Sequence, residues 1–261
     1  MMFEKIRLEF THQERVARIT LACPKANILD RAMIRELHEA VSQAASHPLN
    51  AIVIAADGPH FSFGASVQEH LPELIADTLQ ALHSLLRRLH EAPSPVIAAV
   101  RGQCLGGGFE LALACDLIVA DKTAQFASPE IKLAVFAPAA SALLPLRVGQ
   151  AMAARLLLTG AAITAEEASG CGLVTRIAED LDAEIERLLA ADFLDRSPSS
   201  LHFACQAARL SLRHAFAEDL MQLERLYLSE LMTTPDAEEG IRAFLEKRAP
   251  QWGKTAVLTQ G

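Results

Sequence analysis

The chain has 261 residues, 51% of them hydrophobic, with 24 Lys and Arg against 32 Asp and Glu for a net charge of −8. That length is long for one domain and short for two, and half-apolar composition allows a substantial buried core. The acidic balance argues against nucleic acid or an anionic membrane as the main partner, since either rewards a basic face.

Ile6 to Thr11 and Val16 to Ala22 largely alternate apolar and polar residues around His12-Gln13-Glu14, which predicts a hairpin. Asp30 precedes Met33, Leu37, Val41 and Ala44 on one helical face and suits the N-cap of that helix. Ala51 to Ala56 is a continuous apolar strand of the kind buried on both sides. From Leu71 the residues Leu74, Ile75, Leu79, Leu82, Leu85, Leu86 and Leu89 mark a long helix that ends near Pro93. Strand Pro95 to Val100, a glycine turn, a helix from Gly108 and strand Leu117 to Ala120 follow. This alternation predicts an α/β fold with a mainly parallel sheet and crossover helices. Beyond Ala140 the pattern is almost continuous helix, with one strand expected at Leu173 to Ile177. Ser197-Pro198-Ser199-Ser200 punctuates it, so residues 1–195 read as a core and 196–261 as a C-terminal helical region.

Five scattered cysteines (Cys23, Cys104, Cys115, Cys171, Cys205) form no Cys-x-x-Cys and read as free thiols of a reducing, cytoplasmic compartment. Met1-Met2-Phe3-Glu4-Lys5 lacks the apolar run of a leader, and no apolar stretch reaches membrane-spanning length. No metal site is expected, because His70, His83 and His90 lack a ligating spacing.

Two acids carry the chemical signal. Glu110 stands in Gly106-Gly107-Gly108-Phe109-Glu110-Leu111-Ala112, and Glu130 ends Gln125-Phe126-Ala127-Ser128-Pro129-Glu130. The glycines either let backbone approach a ligand at a helix N-terminus or simply make a tight strand-to-helix connection. Taken singly, Glu110 could be a first-turn surface acid and Glu130 an ordinary loop acid. If both are buried together, they suit proton transfer on one small molecule, such as hydration of a double bond.

Taken together, these motifs resemble those of the crotonase (enoyl-CoA hydratase/isomerase) superfamily. The resemblance runs from Arg18-Ile19-Thr20-Leu21 and Asn27-Ile28-Leu29-Asp30 through Pro95 to Val100, Leu105-Gly106-Gly107-Gly108, Glu110 and Pro129-Glu130. It continues in Leu158-Thr159-Gly160 and Gly172-Leu173-Val174 and ends in Glu239-Gly240-Ile241-Arg242 to Arg248. It implies a stacked βαβ spiral core with a C-terminal helical trimerisation region, assembled as a homotrimer or a hexamer. It also implies an acyl-CoA thioester substrate, with coenzyme A part of that substrate and no other cofactor. The amides of Ala65 and Gly107 would form the oxyanion hole. Glu110 would polarise the attacking water, and Glu130 would exchange the carbon-bound proton. The leading reaction is therefore hydration of an unsaturated acyl-CoA, with a non-catalytic binding protein as the rival.

Departures from the common pattern bear on the acyl group. Phe63 and Ser66 flank the oxyanion alanine, and Ala134-Val135-Phe136-Ala137-Pro138-Ala139-Ala140 replaces a glycine-rich stretch. The combination is similar to the dienoyl-CoA hydratases of anaerobic aromatic degradation, which hydrate cyclohexa-1,5-diene-1-carbonyl-CoA. A general enoyl-CoA hydratase of fatty acid oxidation is the alternative. Phe63, Ser66 and Phe136 are thus expected to bind substrate; Lys25 is a candidate to meet a phosphate of coenzyme A, as are Lys247 and Arg248 from a neighbouring subunit, with plain surface solvation the alternative for each.

Overall fold

The computed structural model describes residues 3–253, so Met1 and Met2 of the start, and residues 254–261 of the C-terminal region 196–261, lie outside that range. Its larger sheet holds β1 (Ile6–Thr11), β2 (Val16–Leu21), β3 (Ala51–Ala56), β4 (Val96–Val100), β6 (Leu117–Asp121) and β9 (Arg176–Ala178), side by side in that order. β1 and β2 pair antiparallel, as expected of the hairpin, and every later pairing in this sheet is parallel. A smaller sheet holds β5 (Gln103–Leu105), β7 (Gln125–Ala127) and β8 (Ile163–Thr164).

The strand pattern explains the burial on both faces. In β3, Ile52 and Ile54 join one core while Ala51, Val53 and Ala55 join another; β4 divides the same way at Val96, Ala98 and Val100 against Ile97 and Ala99. Successive side chains leave a strand on opposite faces, so an unbroken apolar run requires cover on each. Helix α1 (Arg31–Ala45) and α2 (Ile75–His90) cover one face, and α6 (Leu181–Leu188) covers the other. The Asp30 carboxylate accepts from Met33 N at 2.9 Å, the anticipated cap, worth about 1 kcal/mol.

Each turn of chain adds one strand to the large sheet and then crosses to a second layer. There Leu29 bridges Ala65, Ser62 bridges Cys104, and β5 pairs in parallel with β7. Successive turns therefore stack in register in two layers, the βαβ spiral the sequence implies. Helix α3 (Gly107–Leu113) follows β5 and is buried along its whole length. Helices α4 (Pro138–Thr159, bent at Gly149), α5 (Ala165–Gly170), α7 (Pro198–Ala208), α8 (Leu210–Arg225) and α9 (Pro235–Leu245) are the remaining α-helices among the described residues.

Two local expectations shift, and one feature is new. The long helix begins at Ile75 rather than Leu71, because Leu71 precedes Pro72 and is held extended at φ −60°, ψ 148°. The strand expected from Leu173 begins at Arg176, because the amides of Leu173 and Val174 both bond Ala168 O and close α5. The second sheet was not anticipated, since strands of two or three residues show no periodicity.

Arg209, between α7 and α8, ties the C-terminal helices to the core. Its side chain is 5% exposed and donates to Asp116 Oδ1 and Oδ2 (2.7 and 2.5 Å), Ala92 O (2.6 Å) and Ser94 O (2.9 Å). Asp116 Oδ2 also accepts from Val96 N at 2.7 Å, so the clamp reaches the start of β4. Replacing Arg209 with Met strands these acceptors and is expected to lower unfolding stability by about 3–5 kcal/mol. Urea denaturation checks this, and a loss below about 1 kcal/mol would remove the clamp from the account.

Candidate active site

The second layer brings the site together, because three of its residues follow a layer strand. Ala65 comes just after the Ser62 bridge, Gly107 just after β5, and Glu130 just after β7. Asn27 sets the first of these. Fully buried, it accepts from Cys23 N (2.9 Å) and donates to Asp57 O (3.1 Å) and His60 O (3.0 Å). The Ser62 hydroxyl donates to Asn27 O at 2.7 Å and accepts from Gly64 N at 3.0 Å, which fixes the chain into Ala65.

Glycine is required where this segment meets α3. Gly106 has φ 51° and ψ −126°, and a Cβ there would lie 2.5 Å from Glu130 Oε1. A Cβ on Gly108 would lie 2.5 Å from Ser62 Cβ. A Cβ on Gly107 would sit 3.2 Å from Ala65 N, so the Ala65 and Gly107 backbones adjoin. Neither amide takes part in a hydrogen bond among the described residues, which leaves two donors side by side.

Glu110 lies in the first turn of α3 at 3% exposure, and its Oε1 accepts from Ala140 N at 2.8 Å. Glu130 lies in a 3-10 turn (Pro129–Leu133); the residue is half-buried, but its Oε2 is sealed from solvent without a hydrogen-bond partner. Burial, and then the neighbouring Glu130 carboxyl, push Glu110 well above the ordinary carboxyl range, while burial raises Glu130 as well. Two buried carboxyls this close cannot both ionise readily, so the pair retains a proton into the neutral range.

Glu110, Glu130, Ala65, Gly107 and Phe136 all line one small, partly enclosed cavity of about 20 Å³, enough for about one water molecule. Ala65 also lines an open cleft of about 650 Å³, whose largely apolar walls include Phe63, Ser66, Leu133 and Phe244 of α9. A cleft of that size and character suits a small-molecule arm reaching toward the buried acids. Phe63 is 40% exposed and meets His60 edge to face, at 4.9 Å between centroids. Ser66 O accepts from His70 Nδ1 at 2.8 Å. The structure thus splits the expected substrate contacts, with Phe136 at the acids and Phe63 and Ser66 at the entrance. Lys25 is exposed in the turn before Ala26 and lines neither space. Among the described residues no group of His, Cys, Asp and Glu could hold a metal ion, and no helix is long and apolar enough to cross a membrane.

Several wall residues escaped the sequence reading. His70, Thr78, Leu79 and Leu82 come from α2 and the turn before it, Pro138 opens α4, and Tyr227 comes from the far end of the chain. Burial holds the His70 imidazole below its usual pKa, so it stays neutral, with Nδ1–H donated to Ser66. Tyr227 had one available signal: it is the single tyrosine of the sequence, set in a Leu-rich helical stretch. Ala134, in the segment that replaces glycines, adopts φ 56° and ψ 27°, a left-handed conformation that disfavours a side chain.

Residues 11–255 match the family model for enoyl-CoA hydratase/isomerase. The chain is 48% identical over 236 residues to cyclohexa-1,5-dienecarbonyl-CoA hydratase of Thauera aromatica, covering 90% of this chain and 92% of that one. It is 37% identical over 247 residues to 2,3-dehydroadipyl-CoA hydratase of Escherichia coli, covering 93% and 96%. The crystal structure of an enoyl-CoA hydratase from Mycobacterium avium superposes with a TM-score of 0.86 at 32% identity, covering 97% of this chain and all of the other. With that fold, those glutamates and those relatives, the chain belongs to the enoyl-CoA hydratase/isomerase, or crotonase, family.

Proposed function

We propose that this protein is a hydro-lyase that adds water to an unsaturated acyl-CoA thioester, with cyclohexa-1,5-diene-1-carbonyl-CoA as its substrate. The observation that carries the hydration reading is the glutamate pair, sharing a one-water cavity with two free amides at the end of an apolar cleft. The diene assignment rests on the 48% identity to the Thauera aromatica enzyme, against 37% to the Escherichia coli one. A linear enoyl-CoA is the second reading, favoured by how little room, about 20 Å³, remains beside the glutamates for a ring.

In this reading the cleft takes the arm of coenzyme A and no separate cofactor takes part. The thioester oxygen faces the amides of Ala65 and Gly107, which stabilise it as charge develops; one such donor contributes roughly 10²–10³ in rate. Water gives a proton to Glu110 as its oxygen bonds the β-carbon, and Glu130 gives its proton to the α-carbon. Transfer between the two carboxyls restores the starting state. Phe136 orients the acyl group, while Phe63 and Ser66 line its approach, and Lys25 lies on the exposed side for a phosphate. The five free cysteines agree with a cytoplasmic enzyme. Exposed apolar side chains on the C-terminal helices, Phe203, Leu210 and Met221, support assembly into a homotrimer or hexamer through the region 196–261. Light scattering is expected to give three or six times the chain mass of 28.2 kDa, and a monomer would overturn that assembly.

Hydration rates for crotonyl-CoA and the cyclic diene thioester, with products identified by mass spectrometry, test the substrate. A strong preference for the diene is expected, and preference for crotonyl-CoA would establish the linear reading instead. Glu110→Gln and Glu130→Gln should each cost about 10²–10⁴ in kcat while saturated acyl-CoA still binds; turnover equal to wild type would sink the catalytic assignment. The pH profile of kcat/KM should be a bell. Below the lower pKa of the pair both carboxyls are protonated and no base remains; above the upper one both are ionised and no acid remains. Because both pKa values are raised, the acid limb should lie well above 4.5, the ordinary value. An acid limb at or below that value would contradict the buried, proton-sharing pair.

A further inference from the structure

Tyr227 lies on a single π-helical turn (Leu226–Glu230) that continues α8. Its side chain is 1% exposed, it lines the same small cavity as Glu110 and Glu130, and its hydroxyl has no hydrogen-bond partner among the described residues. A buried hydroxyl without a partner is a standing cost to the fold, and phenylalanine would avoid it at the same volume. The ring is held edge to face against Phe136, 5.3 Å between centroids at 69°, which restrains the side chain at the cavity wall. Burial and the fields of Glu130 and Glu110 raise its pKa, so the phenol keeps its proton throughout the neutral range and can only donate beside carboxylates. In a cavity with room for about one water, a water needs two to four polar partners; the glutamates supply two and Tyr227 the next. An enoyl group brings no polar atom of its own to this position, so the oxygen being added is the acceptor such a donor fits.

We propose that the Tyr227 hydroxyl donates a hydrogen bond to the oxygen added across the double bond, first in water and then in the hydroxyacyl product. This makes Tyr227 a third contact to the reacting atoms, supplied by the C-terminal helices rather than by the core. The assignment rests on the hydration reading, and a binding measurement separates the two.

In Tyr227→Phe, kcat should fall about 10- to 100-fold with KM changed less than about threefold, since the water oxygen gains charge as Glu110 takes its proton and a hydrogen bond to a charged acceptor is worth about that much. Its thermal midpoint should equal or exceed that of wild type, because an unpaired buried hydroxyl has been removed. Calorimetric binding of 3-hydroxybutyryl-CoA and butyryl-CoA supplies a readout free of turnover. Wild type should prefer the hydroxylated thioester, and the preference should shrink about three- to tenfold in Tyr227→Phe. If wild type hydrates nothing yet this preference exists and is lost in the variant, the Tyr227 contact stands and the hydration reading falls. If wild type turns over while the variant matches it in kcat and in the binding ratio, the Tyr227 contact is overturned. Failure of wild type to bind either thioester overturns it as well.

Discussion

The backbone ladder of the second layer is the constraint on which the site depends. Bridges from Leu29 to Ala65 and from Ser62 to Cys104, and then the pairing of β5 with β7, hold successive turns in register. Residues that emerge just after those strands must therefore arrive next to one another. Ala65, Gly107 and Glu130 are scattered over more than sixty positions of sequence but occupy equivalent places in consecutive turns. A register slip of one residue in this layer would turn every one of them to the wrong side.

Assembling such a site works against stability. Two carboxyls and a phenol are buried with few partners, and Ala134 holds a left-handed backbone. The surrounding structure offsets this with groups fully engaged elsewhere: Asn27 satisfies three backbone groups, and Arg209, at the start of α8, ties Asp116 to the turn between α2 and β4. The dense apolar packing of β3 and β4 on both faces makes the frame stiff enough to hold an unfavourable interior.

What was legible in the sequence follows from distance along the chain. The first hairpin, α1 with its Asp30 cap and the buried strand Ala51–Ala56 have local patterns of sufficient length to be read directly. Glu110, Gly107 and Glu130 stood out because glycines and acids interrupt apolar runs there. Ala65 has no local signal and came from resemblance alone. The second sheet was hidden because its strands are too short for alternation to show. The inner wall was hidden for a different reason: Thr78, Leu79 and Leu82 look like any apolar helix face, and their role depends on what that face meets. Tyr227 lies nearly a hundred residues beyond Glu130, and no local pattern connects the two.

The shared proton of the glutamate pair has a consequence for direction. A carboxyl that accepts a proton from water in one sense donates it to a departing hydroxyl in the other, and its partner exchanges roles in the same way. By microscopic reversibility, under the proposed reaction the protein would also catalyse dehydration of the hydroxyacyl thioester through the same transition state. Net flux would then be set by the concentrations of the two thioesters, and the enzyme would hold them near equilibrium rather than commit the carbon to one side.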